Sequence, residues 1–223
     1  MEYKQITSIE DPLFRQFFEL MQKVFPKEEV LDFPLWEEPL KDPIIRMFVA
    51  VEKGEVVGAT EYRYYPTFNI TMTDFTLIGR DGKGVGPFLA RERLSDIHRL
   101  ADEFGKQPRG MFAEIYNPYE VEEATFGGVT SMNPFVRREV LSHLGYQKLN
   151  FSYVHPSWLN DGEAVSGLDF CFLPFDKKIT TLKGEFIASF LKEYYGILSN
   201  KPALWEEMIA KLENTPEVEL QPI

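Results

Sequence analysis

Cysteine is almost missing. Only Cys171 occurs in 223 residues, so no disulfide can close within the chain, and a lone thiol fits a reducing compartment. Phe170 and Phe172 flank it, which marks a core thiol rather than a nucleophile. No apolar run approaches the length of a bilayer span. The opening Met1-Glu2-Tyr3-Lys4-Gln5 lacks the basic-then-apolar layout of a secretory signal. The expected location is therefore the cytoplasm, with no membrane partner. Basic residues are also in short supply: 24 Lys and Arg face 35 Asp and Glu, for a net charge of −11, with no long basic stretch. Such a surface repels phosphate backbones, so a nucleic-acid partner is not expected. The three histidines, His98, His143 and His155, form no metal-ligand spacing, and no metal is expected. Internal repeats and low-complexity linkers are absent.

What is present is a substantial core, at 44% hydrophobic and 14% aromatic, patterned as a mixed α/β chain. Residues 3–9 read as a short strand. A helix follows from Asp11 to Phe25, with Asp11 as N-cap, Pro12 at the first position, and Leu13, Phe17, Leu20, Met21 and Val24 at helical spacing. A proline-interrupted helical region runs to about Lys41. Strands at 47–52 and 55–65 are joined by a Lys53-Gly54 turn as a hairpin. A strand at 69–78 puts Ile70, Met72, Asp74, Thr76 and Ile78 on one face. Val85, Phe88, Leu89, Ile97, Leu100, Ala101 and Phe104 then line one stripe of a long helix that stops at Gly105. Beyond it lie a strand at 110–116, an irregular loop at 117–132, a helix from Asn133-Pro134 to Gly145, strands at 146–155 and 167–175, and helices near 180–198 and 201–213. The expected organisation is one domain at 1–175 and a helical extension at 176–223 packed on it. The extension's Phe186, Phe190, Tyr194 and Tyr195 pack either internally or on a partner, the latter giving a homodimer.

The segment Asp81-Gly82-Lys83-Gly84-Val85-Gly86 sits between a strand and the strongest helix. Closely spaced glycines let several backbone N–H groups converge on one point, and the following helix adds positive charge at its N-terminus, which together suit a pyrophosphate. Three phosphate-binding patterns compete. A P-loop needs Ser or Thr after its Gly-Lys, but Gly84 follows Lys83. A dinucleotide fingerprint needs a third glycine where Leu89 stands, and antiparallel hairpins precede the unit. The turn that holds coenzyme A fits best.

From Met47 to Tyr146 the chain resembles the GNAT superfamily of N-acetyltransferases. Gly82-Lys-Gly-Val-Gly86 is similar to that family's Arg/Gln-x-x-Gly-x-Gly/Ala turn, with Asp81 at the first position and Arg80 beside it. Val140-Leu-Ser-His-Leu-Gly-Tyr146 is similar to the family's helix end Leu-Tyr-x-x-x-Gly-Phe, with Leu141 where the tyrosine falls. Phe151-Ser-Tyr-Val-His-Pro156 and Leu168-Asp-Phe-Cys-Phe-Leu-Pro174 look like a branch of small GNAT proteins. The resemblance implies a mostly antiparallel mixed sheet with flanking helices. It also implies acetyl-CoA as cosubstrate and a small-molecule amine as acceptor. Arg80, Asp81, Gly82, Lys83, Gly84, Val85 and Gly86 would hold the cofactor, and a backbone N–H near Leu77 or Ile78 would face the thioester carbonyl.

An alkyl amine, with a pKa near ~10 like lysine, arrives protonated at neutral pH, so a base is needed. Glu114, Asp74 and Glu61 lie on strands beside the implied cleft. Glu114 ranks first as base and Asp74 second, whereas Glu61 reads as a structural carboxylate. Tyr116 or Tyr119 stands near enough in sequence to replace the missing general acid. His155, before Pro156 at a strand end, is a candidate for the substrate pocket. The rival to an enzyme is a non-catalytic coenzyme A-binding sensor or scaffold, which the departures at Asp81 and Leu141 favour.

Overall fold

A computed structural model describes residues 1–24, 30–80, 82–120 and 134–223. It falls into two compact units, one reaching to Met111 and the other beginning at Phe112. Among the described residues, no helix is long and apolar enough to cross a membrane.

In the first unit, strand β1 (Glu2–Gln5) precedes helix α1 (Pro12–Val24) and a short helix α2 (Glu37–Lys41). Asp11 caps α1 through its side chain, Oδ1 accepting from Leu13 N–H at 2.8 Å. Strands β2 (Ile45–Glu52), β3 (Glu55–Tyr65) and β4 (Ile70–Ile78) follow, then helix α3 (Val85–Glu103). The strands lie in the order β1-β2-β3-β4, with antiparallel neighbours. Lys53 and Gly54 both take positive φ, 53° and 84°, at the β2–β3 hairpin, as a two-residue turn of matching twist requires. On one side Met47, Val49, Val51, Ala59 and Leu77 pack against Phe14, Phe17 and Met21 of α1. On the other, Ala50 and Val57 pack against Val85 and Leu89 of α3.

The single-face reading of β4 is corrected by a bulge. Glu61 pairs with Phe75 and Tyr62 with Thr73, which leaves Asp74 unpaired on the β4 side. One extra residue shifts the alternation. Thr73 and Thr76, three apart, thus both reach Arg93 of α3, whose Nη1 donates to Thr60, Thr73 and Thr76 hydroxyls at 3.0, 3.1 and 2.9 Å. Phe75 and Leu77 turn instead to the α1 side.

Close approach sets the height of α3 over the sheet. A Cβ on Gly58 of β3 would stand 2.5 Å from Val85 Cγ1 and 2.8 Å from the Leu77 carbonyl oxygen. Arg46 and Tyr62 complete the attachment by gripping Asp96 of α3. Arg46 Nε and Nη2 donate at 3.0 and 2.9 Å, and the Tyr62 hydroxyl donates at 2.6 Å.

In the second unit, strand β5 (Gly110–Tyr116), helix α4 (Pro134–His143) and strand β6 (Gln147–Leu149) lead to a hairpin of β7 (His155–Pro156) and β8 (Ala164–Val165). Strands β9 (Leu168–Pro174) and β10 (Thr181–Leu182), helices α5 (Gly184–Tyr194) and α6 (Ala203–Glu213), and strand β11 (Val218–Pro222) complete it. The sheet order is β5-β9-β6-β11-β10. Two expectations fail here. The strand expected at 146–155 breaks after Leu149, because Phe151 N–H turns back to the Leu149 carbonyl at 2.8 Å. His155 then belongs to the separate β7–β8 hairpin. The C-terminal segment is also not purely helical, since β11 returns to pair antiparallel with β6. The aromatic residues of α5 pack internally: Phe190 lies 4.7 Å, ring to ring, from Phe112, which stacks on Phe170 at 4.8 Å. Cys171, between Phe170 and Phe172 in β9, is fully buried, and burial pushes its thiol well above the ordinary range.

Candidate active site

The glycine turn lies in the first unit. Gly82 and Gly84 adopt φ of 68° and 71°, a left-handed conformation that side-chain-bearing residues avoid. Open space surrounds the positions a Cβ would take at both. Gly84 caps α3 without any side-chain hydrogen bond, and the first turn holds no acidic residue. Phe88 N–H makes the first intrahelical bond, to the Gly84 carbonyl at 3.1 Å, and Pro87 has no N–H to offer. Val85 and Gly86 N–H therefore have no acceptor inside the helix and point out from its positive end. Lys83 is exposed. Arg80 is turned aside, paired with Glu52 at 3.3 Å and with Glu55. Asp81 lies outside the described residues, as do residues 121–132 of the loop expected at 117–132.

Of the two expected backbone donors, β4 separates one from the other. Gly79 N–H bonds the Val57 carbonyl at 2.9 Å. Alternation along an antiparallel strand then directs Leu77 N–H toward β3 and Ile78 N–H away from it. The side chain of Asp74, at the bulge, meets Arg63 Nη2 at 3.0 Å, and Arg63 Nε also meets Glu61 at 3.3 Å. Burial, then repulsion from Asp74, pushes Glu61 well above the usual carboxylate range despite Arg63. Burial and the Asp74 carboxylate thus favour the neutral form of Glu61, with Arg63 opposing them.

The second unit assembles a polar cluster that the sequence did not announce. Glu114 stands in the middle of β5, with Tyr116 two residues on along the same face. The segment after β6 brings Tyr153 and His155, and Tyr195 caps the C-terminus of α5. His155 Nδ1 lies 2.8 Å from Glu114 Oε1 and 2.7 Å from the Tyr195 hydroxyl. The Tyr153 and Tyr195 hydroxyls both donate to that same Oε1 and are 2.8 Å from each other. Burial favours the neutral acid at Glu114, but the hydrogen bond and charge of His155, then the two phenols, outweigh it and hold the carboxyl below its usual range. The same burial, together with the Glu114 charge, pushes both phenols well up. Both tyrosines thus remain proton donors around a carboxylate. Trp158, half exposed, closes one flank, its ring centroid 5.0 Å from Tyr195 and 6.4 Å from His155.

The end of β5 is fixed by a second buried group. Arg138 of α4 donates to the Tyr116 carbonyl at 3.2 Å and pairs with Asp169 of β9. Asp169 also accepts from Asn117 at 3.2 Å.

Among solved structures the chain resembles a protein described as a GNAT-family acetyltransferase from Bacteroides thetaiotaomicron, over 90% of this chain and 100% of that one, with a TM-score of 0.60 and 12% identity. The fold is that of the GNAT acetyltransferases. Aminoglycoside 6′-acetyltransferase type Ii is similar over 77% of this chain and 95% of its own, at TM-score 0.51 and 14% identity. A variant of spermidine N-acetyltransferase from Vibrio cholerae is similar over 80% and 98%, at TM-score 0.51 and 13% identity. No family model matches the sequence, and no curated protein matches it. The likeness is carried by backbone architecture, and a GNAT fold by itself does not name a substrate.

Sequence reasoning ranked Glu114 first among the carboxylates and set His155 apart as a pocket residue, but it did not join them. Tyr153 and Tyr195 were missed altogether. Tyr195 carried only the signal of an apolar helix stripe, and nothing local marks its hydroxyl as polar machinery.

Proposed function

We propose that this chain is a cytoplasmic N-acyltransferase that moves acetyl from acetyl-CoA to a primary amine of a small molecule. The observation that carries the reading is the entry to α3: two outward N–H groups, no side-chain cap, and open space over two left-handed glycines, set in a GNAT fold. An anionic pyrophosphate complements that end of the helix. Backbone groups of 80–86 are the proposed cradle. Ile78 N–H, rather than that of Leu77, is the proposed donor to the thioester carbonyl. That donor would favour the oxyanion over the ground-state carbonyl. Glu114, Asp74 and Tyr116 are the proposed proton-handling residues. The printed names of two similar structures, aminoglycoside and spermidine acetyltransferases, are those of enzymes that act on amines.

A thioester is already activated, so alignment of the amine supplies much of the rate and proton removal most of the remainder. A second reading, a non-catalytic coenzyme A binder, is favoured by Leu141 at the family's tyrosine position and by the engagement of Arg80 with Glu52 and Glu55. Acetyl-CoA incubated with benzylamine, tyramine, spermidine and glycinamide, with release of free thiol as readout, separates the two. Turnover with any amine establishes the enzyme, and tight binding without turnover establishes the binder. Gly84→Val, which puts a branched side chain on a left-handed residue in the cradle, should abolish coenzyme A binding in a folded protein. Unchanged affinity in that variant would sink the assignment of the turn.

A further inference from the structure

We propose that this chain also accepts coenzyme A thioesters whose acyl group ends in a carboxylate, such as succinyl-CoA, and that Arg93 of α3 binds that carboxylate. The proposal rests on the coenzyme A reading of the glycine turn, and every residue it uses lies in the first unit.

Arg93 is a buried cation without a counter-charge. It is 6% exposed, and its hydrogen-bond partners are neutral, the hydroxyls of Thr60, Thr73 and Thr76. It makes no ion pair among the described residues. Asp96, one turn further along α3, is already held by Arg46 and by Arg99, whose Nη2 lies at 2.8 Å. A buried charge left unpaired destabilises a fold. Anchoring α3 does not call for one, because Arg46 and Tyr62 already do so through Asp96.

The threonines fix the direction of the guanidinium. Thr60 spends its hydroxyl proton on the Phe75 carbonyl at 3.2 Å, and Thr73 spends its own on the Glu61 carbonyl at 3.1 Å. Their lone pairs are therefore left to accept from Arg93. All the contacts are made by Nη1, so its protons are used. The opposite edge, Nε–H and Nη2–H, has no partner among the described residues. It is the edge with which Arg46 grips Asp96, and two parallel N–H groups match a carboxylate. Neither nitrogen is sealed, since the buried side-chain polar atoms without a partner among the described residues are Thr71 Oγ1 and Trp205 Nε1. Arg93 is thus fixed at one edge and open at the other.

Position ties this fork to the acyl end of the cofactor. Thr76 and Ile78 both face α3, the first through Arg93 and the second through the apolar cluster of Val85 and Leu89. They stand two residues apart on β4, about 7 Å along the strand. The N–H of Ile78 is the proposed donor to the thioester carbonyl, and Arg93 Nη1 lies 2.9 Å from the Thr76 hydroxyl. A succinyl chain extends from that carbonyl far enough to meet the fork, whereas acetyl stops at its methyl and leaves the fork to water. Butyryl, an uncharged chain of the same length, would strip water from the guanidinium and return no hydrogen bond. The two chains are therefore told apart by charge and not by length.

Isothermal titration of acetyl-, butyryl- and succinyl-CoA into wild type and Arg93→Met tests the assignment. Wild type should bind succinyl-CoA about tenfold or more tighter than butyryl-CoA, as a charged hydrogen-bonded pair does over an unsatisfied donor. Arg93→Met, which keeps a long side chain but no charge, should abolish that ratio and leave acetyl-CoA affinity unchanged. Equal weakening of every thioester in Arg93→Met makes Arg93 merely structural and overturns the proposal. A wild type that binds butyryl-CoA as tightly as succinyl-CoA overturns it too, while its binding of acetyl-CoA leaves the glycine turn standing as the cradle. No binding of any thioester overturns the cradle as well. If Arg93→Met fails to fold, the wild-type ratio of succinyl-CoA to butyryl-CoA decides alone.

Discussion

Gly58→Ala offers a direct test of how the cofactor end of α3 is held. The added Cβ would meet Val85 Cγ1 at 2.5 Å, the Leu77 carbonyl oxygen at 2.8 Å and Leu89 Cδ1 at 3.2 Å. Leu89 can rotate, but the Leu77 oxygen belongs to β4 and cannot yield without moving the strand. Overpacking of this kind costs about 1–3 kcal/mol, and the backbone contact puts Gly58 at the upper end. Alanine stiffens the unfolded chain and returns about 0.4–1 kcal/mol. The net loss is therefore roughly 2 kcal/mol, which for a chain of this size lowers Tm by about 4–8 °C. Because Val85 is the first residue of α3, its displacement also tilts the donors of the cradle, so coenzyme A affinity should weaken together with stability. Scanning calorimetry and isothermal titration give the two quantities. Gly54→Ala is the control, at a positive-φ turn with nothing within 4 Å of its Cβ. It should lose about 1 kcal/mol through backbone strain alone and bind coenzyme A normally. A Gly58→Ala protein with wild-type Tm and affinity would refute the close-approach argument.

The remaining predictions concern buried charge. Arg138→Ala leaves Asp169, 10% exposed, without its main partner, and should cost about 3–5 kcal/mol in urea unfolding. Arg138→Met with Asp169→Leu should lose less, and an equal loss would contradict the charge argument. Glu61 has its folded pKa raised by burial and by Asp74 above the ordinary 4.5. The stability it contributes is full below that value and is lost as pH rises through the folded value. Glu61→Gln should therefore gain on wild type in Tm as pH rises above the ordinary 4.5, and a difference that stays constant with rising pH would count against it.

Much of the architecture is legible in the chain because it is encoded locally. The Lys53-Gly54 hairpin, the Asp11 cap and the stripe of α3 each depend on residues within a few positions of one another. The glycine turn is legible for the same reason: whether a backbone can become left-handed is settled by the residue that bears it. Strand β11 carried the weak alternating pattern Val218-Glu219-Leu220-Gln221, too short to stand out beside the helices before it.

The sequence by itself determined the class of fold, the turn where an anion is proposed to bind, and Glu114 as the carboxylate to watch. The tertiary structure decided what surrounds that carboxylate. Tyr153, His155 and Tyr195 lie 39, 41 and 81 residues along the chain from it, and no local propensity relates them. They meet because the break after β6 and the end of α5 are packed onto the aromatic core around Phe112 and Phe170. The bulge at Asp74 was decided in the same way, by pairing with β3 and by the need of Arg93 for hydroxyls on one face. Hydrogen-bond partners of buried polar groups are chosen by three-dimensional proximity, and side-chain periodicity along one segment carries no record of that choice.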